Sequence, residues 1–411
     1  MKLVVTVFSL DAIRALTLDH DMVELRAEGL PSLDLHALRA ATRKPIILTH
    51  RGAAHDATQA AIDAGIDFVD VEWPNAVIHP ERTVYSHHDY EGMRDVEEIW
   101  RRMLARGCAH TKLAATPRNF ADNERLLALR ESAIERPATV IGMGERGLYS
   151  RILAPFRGSQ LTFVAGGAIA APGQLTLERA LAIFGPERAN LRADKVFAIV
   201  GNPAGHSLSP AIHNALFREK GVSAAYTIAS IESFDEITGA FLRGEPCGLS
   251  VTAPFKEDAF RFAQRAGMEI GENARRAGAV NTLIPNLADN TDVDGFAALI
   301  PRDANRAAVI GAGGTARAAI VALENAGIAF TVFNRTMGKL GAKSLDELNR
   351  FDGDLIINTL PVPIEITIQP DVTYIEAKYG QQAAAGGGQR LLHAQAIRQH
   401  QLFMKVFDGN Q

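Results

Sequence analysis

The sequence predicts an α/β protein in which an N-terminal (β/α)8 barrel of the TIM type is followed by further strand–helix units. Between residue 1 and about residue 190, eight short apolar runs alternate with stretches of helical periodicity. This alternation favours parallel strands that close into a barrel. A new strand begins at Lys195, and a Gly-rich turn at Gly311 starts another unit. We therefore expect one barrel and a second α/β region.

The eight predicted barrel strands are short and separated by amphipathic stretches such as 56–64, 96–105 and 122–132. The strands are Leu3–Phe8, Met22–Leu25, Pro45–Thr49, Phe68–Glu72, Thr83–Ser86, Ala109–Leu113, Ala138–Met143 and Leu161–Ala165. Only residues 73–82 separate the fourth and fifth strands, whereas a parallel crossover usually needs about a dozen residues or more. We expect the barrel to be trimmed to a loop at this point.

Length, composition and charge give no indication of a nucleic-acid-binding or membrane-spanning protein. The 411 residues suggest roughly two to four domains, and the net charge of −4 gives no electrostatic reason to expect a nucleic acid or an anionic membrane as partner. No apolar run approaches the roughly 18 residues of a membrane-spanning helix. Cys108 and Cys247 lie far apart without metal-ligand spacing, so we expect free thiols, a reducing cytoplasmic compartment and no bound metal.

The Gly-rich turn has the features of a dinucleotide-binding site. Gly311, Gly313 and Gly314 follow an apolar strand and begin a predicted helix, whose N-terminus attracts phosphate. About 20 residues further on, the next strand ends in Asn334-Arg335-Thr336. An arginine there suits the 2′-phosphate of NADP, whereas an acid suits the 2′-hydroxyl of NAD. Taken alone, the glycines also fit a tight turn and Arg335 an exposed surface position.

Polar loops before this turn can hold a hydroxylated acid. Lys256 follows a predicted strand and Asp292 lies in a polar loop. Beside a carbonyl that accepts hydride, a lysine can exchange the alcohol proton while an aspartate orients it. Ser207 and Ser209 follow the strand 195–200, and their hydroxyls suit a carboxylate. The simpler alternatives are turn hydrogen bonds for the serines and a surface salt bridge for Lys256 and Asp292.

Five motifs in this half resemble shikimate dehydrogenase in type and order, over about residues 195–400. They are 205–210 (GHSLSP), 250–256 (SVTAPFK), 278–282 (GAVNT), 290–295 (NTDVDG) and 311–317 (GAGGTAR). The resemblance implies a two-lobed domain that reduces 3-dehydroshikimate to shikimate with NADPH. Its substrate lobe is expected at 195–300 with a C-terminal helix at about 388–403, and its Rossmann NADP lobe at 301–385. Ser250 stands where that family usually has Asn.

The same resemblance implies roles for individual residues. Lys256 and Asp292 are the expected catalytic pair. The expected substrate contacts are Ser207, Ser209, Thr252, Asn281 and Gln395. The expected cofactor contacts are Gly311, Ala312, Gly313, Gly314, Thr315, Ala316, Asn334, Arg335 and Thr336.

In the N-terminal half, polar residues stand near the ends of otherwise apolar strands. His88 and Lys112 end the fifth and sixth runs, and the C-terminal strand ends of a barrel converge on the face that bears active sites. A desolvated lysine there can form a Schiff base with a ketone, and a histidine can move protons near neutral pH. Each polar residue alone is also explained by capping or by a salt bridge.

This half resembles type I 3-dehydroquinate dehydratase over about residues 1–190. The matching pieces are 24–26 (ELR), 49–51 (THR), 86–89 (SHHD), 111–112 (TK), 147–151 (GLYSR) and 171–174 (APGQ). The resemblance implies that Lys112 forms an imine with the C3 ketone of 3-dehydroquinate and that His88 moves the protons. The implied substrate-binding residues are Glu24, which orients His88 or the substrate, and Arg26, Arg51, Arg151 and Gln174.

Together the halves predict a bifunctional enzyme, because the product of the dehydratase is the substrate of the dehydrogenase. We expect NADP and small-molecule substrates as ligands, without nucleic acid or membrane. One alternative is a shikimate dehydrogenase whose dehydratase half is impaired or regulatory. A second is a non-catalytic quinate-pathway regulator, which the presence of Lys112, His88, Lys256 and Asp292 disfavours. A third is a catabolic quinate/shikimate dehydrogenase that uses NAD, which Arg335 disfavours.

Overall fold

The N-terminal half folds as a nearly closed barrel of eight parallel strands. The computed structural model describes residues 1–28, 33–50, 55–360, 364, 369–377 and 387–408. The strand order is β7-β6-β5-β4-β3-β2-β1-β8. The strands are β1 (Lys2–Val7), β2 (Met22–Arg26), β3 (Ile46–Thr49), β4 (Phe68–Glu72), β5 (Thr83–Asp89), β6 (His110–Ala115), β7 (Ala138–Gly142) and β8 (Leu161–Ala165). The predicted barrel is confirmed.

Two strands extend further than the sequence predicts. β5 continues to Asp89 and β6 to Ala115, so His88 and Lys112 lie inside strands and not at their ends. The trimmed connection is confirmed, because β4 and β5 pair in parallel although the connecting residues 73–82 contain no regular element besides the 3-10 turn Pro80–Arg82. Between β7 and β8, the N–H of Leu161 donates to Thr139 Oγ1 at 3.0 Å, so a side chain helps to close the barrel.

Amphipathic helices surround the barrel. In α4 the buried residues Val96, Trp100 and Met103 follow the helical repeat, because every third or fourth side chain faces the strands. The helices of this half are α1 (Leu10–Arg14), α2 (Leu35–Ala41), α3 (His55–Asp63), α4 (Val96–Leu104), α5 (Phe120–Ser132), α6 (Leu148–Leu153) and α7 (Leu177–Phe184).

The remaining chain forms two more sheets. Compact units comprise Met1–Val196 with Asn214–Glu232, and Phe197–His213 with Ser233–Gln411. The strands are β9 (Lys195–Gly201), β10 (Ala224–Ser230), β11 (Gly248–Val251), β12 (Glu269–Ile270), β13 (Thr282–Ile284), β14 (Leu287–Asp289), β15 (Arg306–Ile310), β16 (Ala329–Phe333), β17 (Leu355–Asn358) and β18 (Thr373–Glu376). The helices are α8 (Ser209–Glu219), α9 (Asp235–Leu242), α10 (Lys256–Arg265), α11 (Glu272–Ala277), α12 (Asp292–Ala297), α13 (Gly314–Ala326) and α14 (Gly387–Asp408).

In the second unit, one sheet is mixed and the other is parallel. In the mixed sheet β11 pairs with β9 in parallel and with β13 antiparallel, and β14 and β12 follow. The parallel sheet has the order β16-β15-β17-β18, as expected of a Rossmann-like lobe. The predicted strand–turn–helix unit around Gly311 is confirmed, since β15 ends at Ile310 and α13 begins at Gly314. None of the helices in the described ranges is long and apolar enough to span a bilayer.

Candidate active sites

Lys112 is buried inside the barrel between two carboxylates. Its Nζ lies 3.6 Å from Glu24 Oε1 and 3.6 Å from Asp70 Oδ2. It also stands 4.1 Å from the centroid of the Phe163 ring. The side chain is only 6% exposed, so the amine reaches the barrel cavity and not bulk water. This is the dry setting that the chemistry of a Schiff-base lysine requires.

The two carboxylates beside Lys112 differ in their electrostatics. Burial raises the pKa of Glu24, but Lys112 and the hydroxyls of Thr6 and Thr49 lower it more, so its pKa lies below the ordinary value. Burial raises the pKa of Asp70 and outweighs the opposing effect of Lys112. Within the described residues, Asp70 Oδ2 has no hydrogen-bond partner. The surroundings of Glu24 therefore favour the charged form of its carboxyl group, whereas those of Asp70 favour the neutral form.

His88 is held by a carboxylate that the sequence analysis did not single out. Its Nδ1 lies 2.8 Å from Glu72 Oε2, and its backbone N–H donates to Glu72 Oε1 at 2.9 Å. A carboxylate beside Nδ1 favours the tautomer protonated there, which makes Nε2 the basic nitrogen. The Tyr90 ring stacks on the imidazole at 6.1 Å with 13° between the planes. Glu72 is the last residue of β4. His88 was predicted because it is a polar residue near the end of a barrel strand, and Glu72 has the same feature.

One cavity gathers most of the predicted dehydratase residues. Arg151 is buried, its Nε donates to Gly142 O at 2.8 Å, and burial lowers its pKa to about 10. Gln174 Nε2 donates to Thr6 Oγ1 at 3.2 Å. Arg51 lies outside the described residues, so its predicted role stays a prediction. The predicted residues that line the cavity are Glu24, Arg26, His88, Lys112, Arg151 and Gln174.

In the second unit, Lys256 and Asp292 form a mostly buried ion pair. Lys256 Nζ lies 2.5 Å from Asp292 Oδ2, and the two side chains are 12% and 10% exposed. A surface salt bridge is thereby excluded. Lys256 begins α10 and Asp292 begins α12, so two helix starts bring the pair together. Asn281 Nδ2 donates to the other oxygen of Asp292 at 2.9 Å and fixes the carboxylate.

Four of the five predicted substrate contacts of this half line the cavity that holds the pair, and Ser207 is not among the residues that line it. The N–H of Ser209 donates to Ser207 Oγ at 3.2 Å, which is the turn hydrogen bond of the simpler alternative. Thr291 Oγ1 donates to Gln395 Oε1 at 3.3 Å. The predicted residues that line this cavity are Ser209, Thr252, Lys256, Asn281, Asp292 and Gln395.

Gln399 belongs to this cavity and was missed from sequence. Ser250 Oγ donates to Gln399 Oε1 at 2.5 Å, and Gln399 Nε2 donates to Thr282 Oγ1 at 2.7 Å. The pairing gives Ser250 a partner at the position where the dehydrogenase family usually has Asn. Gln399 lies one helical turn after Gln395, and this i,i+4 spacing was the available signal.

The Gly-rich turn fits a dinucleotide. Gly311 has φ +112°, and a Cβ there would lie 2.4 Å from Thr359 Oγ1, so only glycine fits. A Cβ on Gly313 would meet nothing within 4 Å, which leaves open space at the start of α13. Arg335 and Thr336 are exposed after β16, and Asn334 Nδ2 donates to Thr336 O at 3.1 Å.

The two alanines of this turn, both predicted to contact the cofactor, are buried. Ala316 is fully buried and belongs to the hydrophobic core of this lobe, so its side chain supports the turn through packing. Ala312 is 6% exposed. These two residues can therefore contact a dinucleotide only through their backbone atoms.

Comparisons with known proteins match the two halves separately. Residues 8–186 match the family model of type I 3-dehydroquinase, and residues 199–283 match that of the shikimate dehydrogenase substrate binding domain. The chain is 26% identical over 423 residues to the bifunctional 3-dehydroquinate dehydratase/shikimate dehydrogenase, chloroplastic, of Arabidopsis thaliana, with 87% of this chain and 69% of that protein covered.

Other relatives are larger or more distant. The pentafunctional AROM polypeptide of Yarrowia lipolytica is 28% identical over 414 residues, with 84% of this chain covered, but the match spans only 26% of that protein. The solved structure of dehydroquinate dehydratase and shikimate dehydrogenase from S. pombe AroM has a TM-score of 0.40 and 22% identity, covering 99% of this chain and 97% of that one. The N-terminal half is thus similar to type I 3-dehydroquinase, and the following segment is similar to the substrate binding domain of shikimate dehydrogenase.

Proposed function

We propose that the chain catalyses two consecutive steps of the shikimate pathway, namely dehydration of 3-dehydroquinate to 3-dehydroshikimate and NADPH-dependent reduction to shikimate. One observation supports it most strongly. Each half holds a nearly buried lysine in a cavity. Lys112 shares its cavity with His88, and Lys256 is paired with Asp292. A binding protein has no need of a Schiff-base lysine and a proton-transferring lysine in the same chain.

In the proposed dehydration, Lys112 Nζ attacks the C3 ketone and the carbonyl oxygen leaves as water, which gives an iminium. The iminium withdraws electrons and acidifies the adjacent C–H. His88 removes that proton, with Glu72 stabilising the imidazolium, and returns it to the departing hydroxyl, which leaves as a second water molecule. Hydrolysis of the imine frees the product and Lys112. Arg151 and Gln174 line the cavity beside the amine and are proposed to bind the substrate carboxylate.

In the proposed reduction, Lys256 protonates the oxygen of the ketone as it becomes an alcohol. Asp292, fixed by Asn281, holds the ammonium in place. NADPH supplies the hydride when bound. The open space above Gly313 suits its pyrophosphate, and the exposed Arg335 suits its 2′-phosphate. Ser209 and Thr252 line the same cavity and are proposed to contact the substrate.

We further propose that the enzyme works in a reducing cytoplasm. Cys108 and Cys247 are both buried free thiols, which suits such a compartment.

Separate assays of the two half-reactions test the proposal. The purified full chain is supplied with 3-dehydroquinate alone, and the conjugated enone product is followed by absorbance. A second assay supplies 3-dehydroshikimate with NADPH or NADH, and loss of the reduced nicotinamide is followed. We expect both reactions, with NADPH preferred. Reduction without dehydration would refute the role of Lys112, and the absence of both would favour a non-catalytic regulator.

A further inference from the structure

The Lys256 ammonium contacts a residue of the Gly-rich turn as well as its aspartate. Lys256 Nζ donates to Thr315 Oγ1 at 3.0 Å, in addition to the 2.5 Å contact with Asp292 Oδ2. Thr315 is the second residue of α13, far from Lys256 in sequence. The sequence alone assigned Thr315 only to cofactor binding. Its hydroxyl instead faces the lysine that is proposed to transfer the proton.

The backbone of the turn is shaped to admit the lysine. A Cβ on Gly314 would lie 3.0 Å from Lys256 Cβ, 3.3 Å from Lys256 Cδ and 3.3 Å from Ala279 Cβ. The aliphatic part of Lys256 therefore runs directly over Gly314. Because glycine leaves this space, the side chain can reach past the turn and present Nζ to both Thr315 and Asp292. Packing and hydrogen bonding thus hold the same lysine against the same turn.

We propose that Thr315 is a positioning residue for Lys256, so that the cofactor-binding turn and the proton-transfer site share one hydrogen bond. The inference rests on the proposed reduction. A hydrogen bond to Asp292 alone leaves the Lys256 ammonium free to turn about that bond. A second hydrogen bond, to Thr315 Oγ1, fixes its orientation. The hydroxyl of Thr315 accepts a hydrogen bond from Lys256 Nζ, while the backbone of the same residue lies in the first turn of α13, where a phosphate is expected. The side chain and the backbone of Thr315 therefore have separate tasks.

The test compares Thr315→Val, which keeps the shape and removes the hydroxyl, with Thr315→Ser, which restores it. For Thr315→Val we expect kcat of the reduction to fall by about tenfold or more, the effect of one hydrogen bond to a charged group. The KM for 3-dehydroshikimate should change less than about twofold. Thr315→Ser should restore kcat.

Two further measurements do not depend on the reduction. NADP⁺ titrated by fluorescence should bind Thr315→Val within about twofold of the wild type, because backbone amides hold the phosphate. Without substrates, an amine-modifying reagent should label Lys256 severalfold faster in Thr315→Val, as quantified by peptide mass spectrometry. Thr373→Val, at an exposed threonine on β18 in the same unit, is the matched control and should behave as the wild type.

The outcomes separate this inference from the proposed function. An unchanged kcat and an unchanged labelling rate in Thr315→Val would overturn the inference. Equal losses in Thr315→Ser and Thr315→Val would also overturn it, because the hydroxyl would then not be responsible. Absence of reduction in the wild type would refute the proposed function instead, and the labelling of Lys256 would still decide the contact with Thr315. Retained NADP⁺ binding in each variant shows that the unit that holds Thr315 is folded.

Discussion

Glu72→Gln tests how strongly a carboxylate supports the proposed base His88. The substitution keeps the size of the side chain but removes its charge. The amide oxygen can still accept the backbone N–H of His88, which donates to Glu72 at 2.9 Å. The amide nitrogen then occupies the Oε2 position, 2.8 Å from His88 Nδ1, where it cannot accept a proton. The imidazole loses both its charge-assisted hydrogen bond and the preference for the productive tautomer.

The magnitude follows from that lost bond. A hydrogen bond to a charged group contributes about 1.5–3 kcal/mol. At about 1.36 kcal/mol per tenfold change in rate, kcat for dehydration should fall roughly 10- to 150-fold. The acidic limb of the pH profile should move to lower pH, because the imidazolium loses its counterion. The assay follows formation of the conjugated enone from 3-dehydroquinate as a function of pH.

A control variant and a second assay test whether the loss of dehydration in Glu72→Gln comes from the contact with His88. Glu81→Gln provides a matched variant, because Glu81 faces His79 at 3.4 Å on the surface and its side chain is 67% exposed. This variant should retain full activity. Reduction of 3-dehydroshikimate should persist in both variants. A dehydration rate of Glu72→Gln within about threefold of the wild type, with an unmoved pH profile, would refute the assignment of Glu72.

Three further perturbations address the lysines and the Gly-rich turn. Borohydride with 3-dehydroshikimate should trap a covalent adduct that Lys112→Ala abolishes; an adduct that persists in this variant would contradict the Schiff base. Arg335→Ala should raise the KM for NADPH by about tenfold or more and leave that for NADH unchanged, since only the 2′-phosphate needs the guanidinium; equal changes for both nucleotides would contradict it. Gly311→Ala should lower the free energy of unfolding by more than about 1 kcal/mol, measured by denaturant titration, because its φ is +112° and Thr359 occupies the Cβ position; an unchanged midpoint would contradict the strain.

The sequence predicted the barrel because its eight strands are buried apolar runs whose spacing is a local property. It also predicted where α13 begins, since a Gly-rich turn marks the start of the helix. The ends of β5 and β6 were predicted too early. β5 continues through polar residues such as His88, and hydrophobic periodicity does not register polar side chains that face the inside of a barrel. β6 continues beyond its predicted end at Leu113 by two alanines, Ala114 and Ala115.

The residues missed in the sites depend on contacts between distant segments. Asp70 precedes Glu72 on β4 by two residues, so the two share one face of the strand, but their approach to Lys112 and His88 depends on how β4 to β6 align. Gln399 meets Ser250 across 149 residues. The contact of Thr315 with Lys256 joins a helix start to another helix start. Motifs identified the chemical groups, whereas the fold determines which of them meet.

The central claim is that Lys112 and Lys256 perform successive reactions in separate cavities of the same chain. The most direct measurement supplies 3-dehydroquinate and NADPH together and follows NADPH. The wild type should oxidise NADPH in an amount equal to the 3-dehydroquinate added. Neither Lys112→Ala nor Lys256→Ala alone should oxidise NADPH at the wild-type rate, and the reduction by Lys256→Ala should be slower by on the order of 10²-fold or more. A mixture of the two variants should restore NADPH oxidation. A wild type that oxidises NADPH only when 3-dehydroshikimate is supplied, or a mixture that stays inactive while each variant retains its other half-reaction, would contradict the claim.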